Sequence, residues 1–241
     1  MKPSVLLALF IFLVSAAGQA ATLNDPVAGQ RLAADLRNAP PERDSRLEGV
    51  MKVRGRDGRV TTTPLLSVLT RGPQSWEAVY VVLNSNATEI LRVTHVQDQP
   101  NAYRHGRAEG FTTPPSNPPA ATNLWIPFGG SDFYLADLGL EFLHWPTQIL
   151  VENEMRKNRA CHVLESRPAV TNVYARVRSW LDVETGGLLL AEAYDAANRR
   201  VKEFEVRRFQ KTGDTWQLQE IEIRNLPMRS RTMLEFDAPR P

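Results

Sequence analysis

Apolar positions first recur at helical spacing. Residues 25–38 (DPVAGQRLAADLRN) place Val27, Leu32 and Leu36 near one face. Asp25 can cap that helix, Pro26 suits its first position, and Pro40-Pro41 ends it. From Arg46 the period drops to two: Leu47, Gly49, Met51 and Val53 alternate with Glu48, Lys52 and Arg54. Asp57-Gly58 is a hairpin turn signal, with a return strand over residues 59–69. Residues 75–83, 87–97 and 103–108 follow as strands joined by short polar turns. Sequential strands with short turns predict an antiparallel meander and not βαβ units.

Residues 111–122 (FTTPPSNPPAAT) interrupt the alternation. Four prolines in twelve residues cannot form a helix or a central strand, so a surface loop is expected. Residues 131–145 (SDFYLADLGLEFLHW) then predict a helix capped by Ser131, with Asp132 at its positive end, a break at Gly139 and a stop at Pro146. Strand patterns return over 147–157, 160–167, 173–183, 187–194, 201–210, 215–224 and 231–236. Glu184-Thr185-Gly186-Gly187, Asp195-Ala196-Ala197-Asn198 and Thr212-Gly213-Asp214 separate them as turns. The expectation is about eleven strands with two or three helical segments. The fold class is mainly β with a few helices (α+β). With one apolar face to cover and few helices, a large curved antiparallel sheet should wrap an apolar interior, the helices serving as its lid.

The chain opens on Lys2, an apolar run over residues 5–14 (VLLALFIFLV) and then small residues, the layout of a secretory signal peptide. Residues 1–20 are read as that signal, residues 21–241 as one domain, and the periplasm as the destination. The run is short of the ~20 residues that span a bilayer. The charge of +2, from 29 basic and 27 acidic residues, is too balanced to favour nucleic acid as a partner. The one cysteine, Cys161, cannot form an internal disulfide or a Cys-rich metal site.

The sequence contains no G-x-S-x-G elbow, P-loop, H-E-x-x-H or dinucleotide fingerprint. His95, His105, His144 and His162 are scattered without metal-ligand spacing. Cys161 and His162 are neighbours on a strand and face opposite ways, so they make no nucleophile–base pair, and Cys161 reads as a small core residue. Asp132 and Asp137 read as structural carboxylates. Arg207-Arg208 and Arg229-Ser230-Arg231 read as solvated strand positions. No enzyme, cofactor or metal is expected.

The second half of the chain resembles a known family. Pro127-Phe128-Gly129-Gly130-Ser131-Asp132-Phe133, then Ala136-Asp137-Leu138, is similar to the "GSDFSxxDL" segment of the outer-membrane lipoprotein-sorting proteins, the LolA-like group. The stretch from Val177 to Gly186 (VRSWLDVETG) resembles that family's "vxxWvDxetg" strand and turn. Leu190-Ala191-Glu192-Ala193-Tyr194-Asp195 resembles "lraeyyd". Ile223-Arg224-Asn225-Leu226 with Ser230-Arg231-Thr232 resembles its "vxNlxxxxxT" ending. Before Pro127 only the strand pattern and the opening helix correspond. The family's "dG" turn is replaced by Ala197-Asn198, where Asn198 can adopt the left-handed conformation.

The resemblance implies a half-open β-barrel closed by helices over an apolar cavity that holds lipoprotein acyl chains or other lipid without a cofactor. It implies an inner-membrane release complex and an outer-membrane acceptor as partners, and a monomer is expected. No residue that gates release in the family can be matched, so none is carried over. Inward strand residues Met51, Val53, Trp76, Tyr80, Leu91 and Val93 are the expected cavity wall, and Phe128, Phe133, Leu138, Phe142 and Trp145 the expected lid. The competing expectation is a non-catalytic envelope interaction or stress-sensing protein with a filled core. A hydrolase using Asp132, Asp137 or His144 is a third.

Overall fold

The computed structural model of the protein describes residues 24–41, 43–84, 87–109, 117–212 and 215–237. The expected signal segment, residues 1–20, lies outside them, as do residues 111–116 of the proline-rich stretch and the Gly213-Asp214 turn.

Helix α1 spans Pro26–Asn38, and Asp25 caps it by accepting from the backbone N–H groups of Val27 (2.8 Å) and Ala28 (2.9 Å). Its buried stripe is Gly29, Ala33 and Leu36, at spacings of four and three. Val27, expected on that face, is exposed. The stripe turns on Gly29, where a Cβ would lie 2.6 Å from the carbonyl oxygen of Gln148. Only glycine lets the helix axis approach the strand that contains Gln148.

Twelve strands follow: β1 Ser45–Arg54, β2 Val60–Arg71, β3 Ser75–Asn84, β4 Ala87–Val96, β5 Ala102–Glu109, β6 Thr147–Arg156, β7 Arg159–Arg167, β8 Arg176–Asp182, β9 Leu188–Tyr194, β10 Arg200–Thr212, β11 Thr215–Asn225 and β12 Ser230–Phe236. They form one antiparallel sheet in the order β5-β4-β3-β2-β1-β12-β11-β10-β9-β8-β7-β6. The first and last strands meet in the middle, with Val50 opposite Glu235. The sheet does not close: β5 and β6 are its edges. Each edge is partly covered. On β5, His105 N–H donates to the Pro119 carbonyl, and Ala121 N–H to that of Tyr103. On β6, Asp25 and Leu150 exchange both backbone bonds (2.9 and 3.0 Å). Free backbone groups are thereby removed where another chain could pair.

Described residues of the connection from β5 to β6, from Leu124 to Trp145, pack on the apolar face. The single split helix expected over residues 131–145 is instead three short pieces: a 3₁₀ turn Phe128–Gly130, helix α2 Leu135–Leu138, and a 3₁₀ turn Glu141–His144. Gly129 and Gly130 (φ 60° and 74°) start the segment in the left-handed region, and Leu140 (φ 49°) breaks it a second time. Ser131 does not cap a long helix; its Oγ accepts from Phe133 N–H at 3.1 Å. Asp132 is committed to β12: its carboxylate accepts from Ser230 Oγ (2.5 Å) and Thr232 Oγ1 (3.0 Å), and its N–H donates back to Thr232 Oγ1 (2.9 Å). Capping falls to Asp137, which accepts from Tyr134 N–H at 2.8 Å.

The opposite face of β7–β12 carries an ionic ladder. Glu165 meets Arg167, Arg176 and Arg178. Arg200 bridges Glu192 and Glu203, Arg224 bridges Glu203 and Glu222, and Arg231 lies 3.7 Å from Glu222. Burial opposes the charge of Glu165, but its arginines hold the carboxyl below the usual range. Arg207 and Arg208 pair with Glu205 and Glu220. Cys161 is fully buried in a small cluster with Val163, Trp180, Leu189 and Leu190. Asn198 adopts φ 58°, so the turn after Tyr194 survives without glycine.

Candidate functional site

The interior is built from two apolar clusters. The larger joins β1–β5 and β10–β12 to Phe128, Phe133 and Leu135. Met51, Tyr80, Leu91 and Val93 belong to it, with Val53, Trp76 and Leu138 packed at its margin. Nine of the eleven residues expected at a cavity wall or lid therefore meet. Phe142 and Trp145 do not join them; they pack with Ala33 and Leu36 of α1 and with Leu164, Val177 and Leu181. The void bordered by Phe142, Val177, Phe204 and Ile223 measures 20 Å³, enough for one water. Phe128, Phe133 and Leu135 of the connecting segment pack into the larger cluster on the apolar face.

A buried polar node fastens that segment. Lys202 of β10, 4% exposed, donates to the Asp132 carbonyl (2.6 Å) and to Asp137 Oδ2 (3.0 Å). Its Nζ lies 3.2 Å from the centroid of the Tyr134 ring, a cation–π contact. Tyr174 donates its hydroxyl to Asp137 at 3.0 Å, and Trp125 stands edge-on to Tyr134 and Tyr174. Burial lowers the Lys202 pKa, and the Asp137 carboxylate works against that shift. Burial, reinforced by Asp137, raises the Tyr174 hydroxyl well above its ordinary value. Every charge in this node has a partner, and that is the signature of a clamp.

A second, different site lies at the end of α1. A cleft of 390 Å³ opens between Arg37, Asn38 and Pro40, the β2–β3 turn (Arg71, Gly72, Pro73, Gln74, Ser75), and Trp76, His95, Val96 and Gln97. Trp76 and His95 are cross-strand partners, their rings stacked with centroids 3.5 Å apart and planes 18° apart. The β2–β3 turn is closed by Gly72 N–H donating to the Ser75 carbonyl (2.7 Å). The end of α1 is tied to the β4–β5 turn by a reciprocal pair: Asn38 Nδ2 donates to Asp98 Oδ1 (2.7 Å), and Asp98 N–H to Asn38 Oδ1 (3.1 Å).

This cleft touches the connecting segment from below. Arg37 donates to the Leu143 carbonyl at 2.6 Å, and the His95 ring lies 6.4 Å from that of His144. Burial, aided by His144 and partly offset by Asn101, pushes His95 down to about 3. Burial and the neighbouring Arg37 charge lower His144 to about 4. Both imidazoles are neutral at ordinary pH. Asn101 donates to the Gly139 carbonyl (2.9 Å) and Tyr103 to Glu141 (2.9 Å), so β5 holds the same segment from its other side.

The sequence pattern points to Trp76 but not to Arg37, His95 or Lys202. A signal for His95 is present in it: the hairpin that pairs Asn84 with Ala87 also pairs Trp76 with His95. Asp132 and Asp137 are structural carboxylates, as the sequence indicates. His162 bonds Asn153 on the neighbouring strand and makes no pair with Cys161. Among the described residues no group of three His, Cys, Asp or Glu side chains could hold a metal ion, and no helix is long and apolar enough to cross a membrane.

Comparisons with known proteins agree with this architecture. A family model described only as an uncharacterized protein matches residues 120–240. No curated protein matches the chain. Among solved structures, a DUF1329 family protein from Desulfovibrio piger is similar at TM-score 0.67 and 20% identity, over 88% of this chain and 92% of that one. A putative outer membrane lipoprotein-sorting protein domain from Vibrio parahaemolyticus gives TM-score 0.69 and 16% identity, over 89% and 92%. A LolA superfamily protein from Nitrosomonas europaea gives TM-score 0.58 and 12% identity, again over 89% and 92%. At these identities the likeness is one of fold. The chain belongs to the family of uncharacterized proteins whose model spans its second half, and it carries the fold of the LolA-like, outer-membrane lipoprotein-sorting proteins.

Proposed function

We propose that this protein is a periplasmic, non-catalytic carrier of lipid or lipoprotein acyl chains, and that the segment from Phe128 to Trp145 is its lid. The observation that carries the reading is the division of the interior into separable parts. A sheet with one apolar face leaves two edges unjoined, and one short segment strung between them supplies Phe128, Phe133 and Leu135 to that face. An acyl chain offers the same apolar area as those side chains. Exchanging one for the other keeps the face dry, at about 25 cal/mol per Å² buried either way. Binding then shifts a closed, self-filled state to an open, loaded one, and the shift is limited by the difference in affinity between the two. The wall is Met51, Val53, Trp76, Tyr80, Leu91 and Val93. The lid tips are Phe128, Phe133 and Leu138, while Phe142 and Trp145 anchor its far end. An inner-membrane donor and an outer-membrane acceptor complete the route, with the carrier acting as a monomer.

The test is native mass spectrometry of protein purified from a bacterial periplasm, followed by lipid extraction. A discrete adduct that extracts as an acyl lipid supports the carrier. A bare mass, with no uptake of a fluorescent fatty-acyl probe by wild type or by Phe133→Ala, sinks it. That outcome favours the second reading, a non-catalytic envelope interaction protein with a filled core.

A further inference from the structure

We propose that the end of the sheet formed by the β1–β2 and β11–β12 turns docks the protein on an anionic lipid bilayer. Arg54, Arg56 and Arg229 would meet headgroup phosphates, and Met228 would enter the interface. Strand register builds this surface. Arg224 of β11, Arg231 of β12 and Arg54 of β1 stand directly opposite one another, and Val60 of β2 extends the row. Like charges abreast oppose folding unless anions meet them. Buried Glu222 serves the first two: Arg224 bonds it, and Arg231 approaches it at 3.7 Å. Arg54, Arg56 and Arg229 are exposed, and among the described residues none of them forms an ion pair. The acidic residues of this turn and of the β9–β10 turn are Asp57 and Asp195. Each is held by an arginine of its own turn, Arg59 at 3.3 Å and Arg199 at 2.8 Å. The β3–β4 turn on the other flank, residues 84–87, is Asn-Ser-Asn-Ala and carries no charge.

Apolar side chains stand among these charges: Met228 is 64% exposed and Val60 57%. The β11–β12 turn is held in shape by its own bonds. Met228 N–H donates to Asn225 Oδ1 (3.2 Å), and Arg229 N–H to the Leu226 carbonyl (3.3 Å). Arginine presents planar paired donors that match phosphate oxygens. An acidic protein would also meet the charges. An apolar tip ringed by unpaired arginines suits a surface that is anionic outside and apolar beneath, which is a bilayer. Arg229 and Arg231 read as solvated positions in the sequence, and only the register brings the β1–β2 arginines beside them. The surface does not rest on the carrier reading, although it adjoins the proposed lid. Arg229 is followed by Ser230, whose hydroxyl donates to Asp132.

Vesicle flotation tests it, with protein purified from a bacterial periplasm. The vesicles are pure phosphatidylcholine or an equal mixture of phosphatidylcholine and phosphatidylglycerol. Wild type should float with the mixed vesicles and not with phosphatidylcholine alone, and added salt should release it. Arg56→Gln and Arg229→Gln should each weaken binding about fivefold, and the two together by more than about tenfold. Met228→Gln should weaken it as well, through lost apolar burial. Arg208→Gln removes the same charge toward the far end of β10 and should bind as wild type does. No flotation with the mixed vesicles overturns the proposal and leaves the surface to an acidic protein. Equal flotation with both vesicle types, or an equal loss in Arg208→Gln, also overturns it. Arg229 has φ 52°, so Arg56→Gln decides the matter if Arg229→Gln does not fold. Uptake of a fluorescent fatty-acyl probe from solution, measured on the same samples, separates a failure of docking from a failure of the carrier reading.

Discussion

Two polar sites lie within the same sheet, and they are built on opposite rules. Around Lys202 every charge is met: Asp137 by an ammonium, a phenol and a backbone N–H, and Lys202 by a carboxylate, a carbonyl and an aromatic face. The space left over holds one water. Around Trp76 and His95 the space is nearly twenty times larger, 390 against 20 Å³, and arginines line an open cleft. The first arrangement uses its chemistry to hold a segment in place; the second leaves room for a ligand. The family model covers the first and not the second, since Asp137, Tyr174 and Lys202 fall within residues 120–240 and Arg37, Trp76 and His95 before them. The family-matched half supplies the frame, and the half outside the match supplies the open site.

The comparison breaks most easily at the clamp. Lys202→Met leaves the Asp137 carboxylate buried beside an apolar chain, and losing one partner of a buried pair costs about 3–5 kcal/mol. Urea unfolding of Lys202→Met should show that loss. If the midpoint stays within error of wild type, the node is no clamp, and the distinction between the two sites fails. A smaller effect is expected where α1 meets the sheet. Gly29→Ala pushes a methyl group against the β6 backbone, an overpacking cost of about 1–3 kcal/mol. Because α1 carries Arg37, that helix shift should also disturb the cleft, so amide chemical shifts should move at both Gln148 and Gln97.

Acid should act at the cleft. His95 is held neutral in the fold, so the unfolded chain binds its proton first as pH falls below about 6.5. Stability is fully present above that pH and is lost as pH drops toward about 3, by roughly 1 kcal/mol per pH unit for one such group. His144 faces it and Arg37 faces His144, so an added positive charge on either imidazole meets another. His95→Gln should flatten the fall in melting temperature between pH 6 and pH 4. An unchanged slope would place the acid sensitivity elsewhere.

The parts legible in the sequence are those with local causes. Alternation from Leu47 to Val53, the Asp57-Gly58 turn (Gly58 φ 80°) and the Asp25 cap each depend on residues a few positions apart. Residues 131–145 mislead because Ser131 and Asp132 look like a helix start. Asp132 answers to Ser230 and Thr232, about a hundred residues away, and nothing nearby announces that. The apolar positions from Met51 to Phe133 are recognisable as core, while their packing against a connecting segment needs the sheet order. The cleft needs still more: strand register to bring His95 to Trp76, and then helix packing to bring Arg37 to both. Lys202 sits in a strand rich in exposed charge, and only the position of Asp137 explains its burial.

The smallest expected effect sharpens the comparison most. Gln97 is exposed at the rim of the cleft, and its backbone N–H, which any residue but proline retains, donates to the Gln74 carbonyl at 3.2 Å. Truncating an exposed side chain changes stability by about 0.5 kcal/mol or less. Gln97→Ala should therefore unfold with wild-type urea dependence. Lys202→Met should do the reverse, losing stability while any protein still folded keeps its cleft. If Gln97→Ala instead unfolds early, its amide is a strut, and the cleft is a second clamp with a larger void. If it stays stable, the two sites differ in kind: one supplies folding energy, and the other leaves open space.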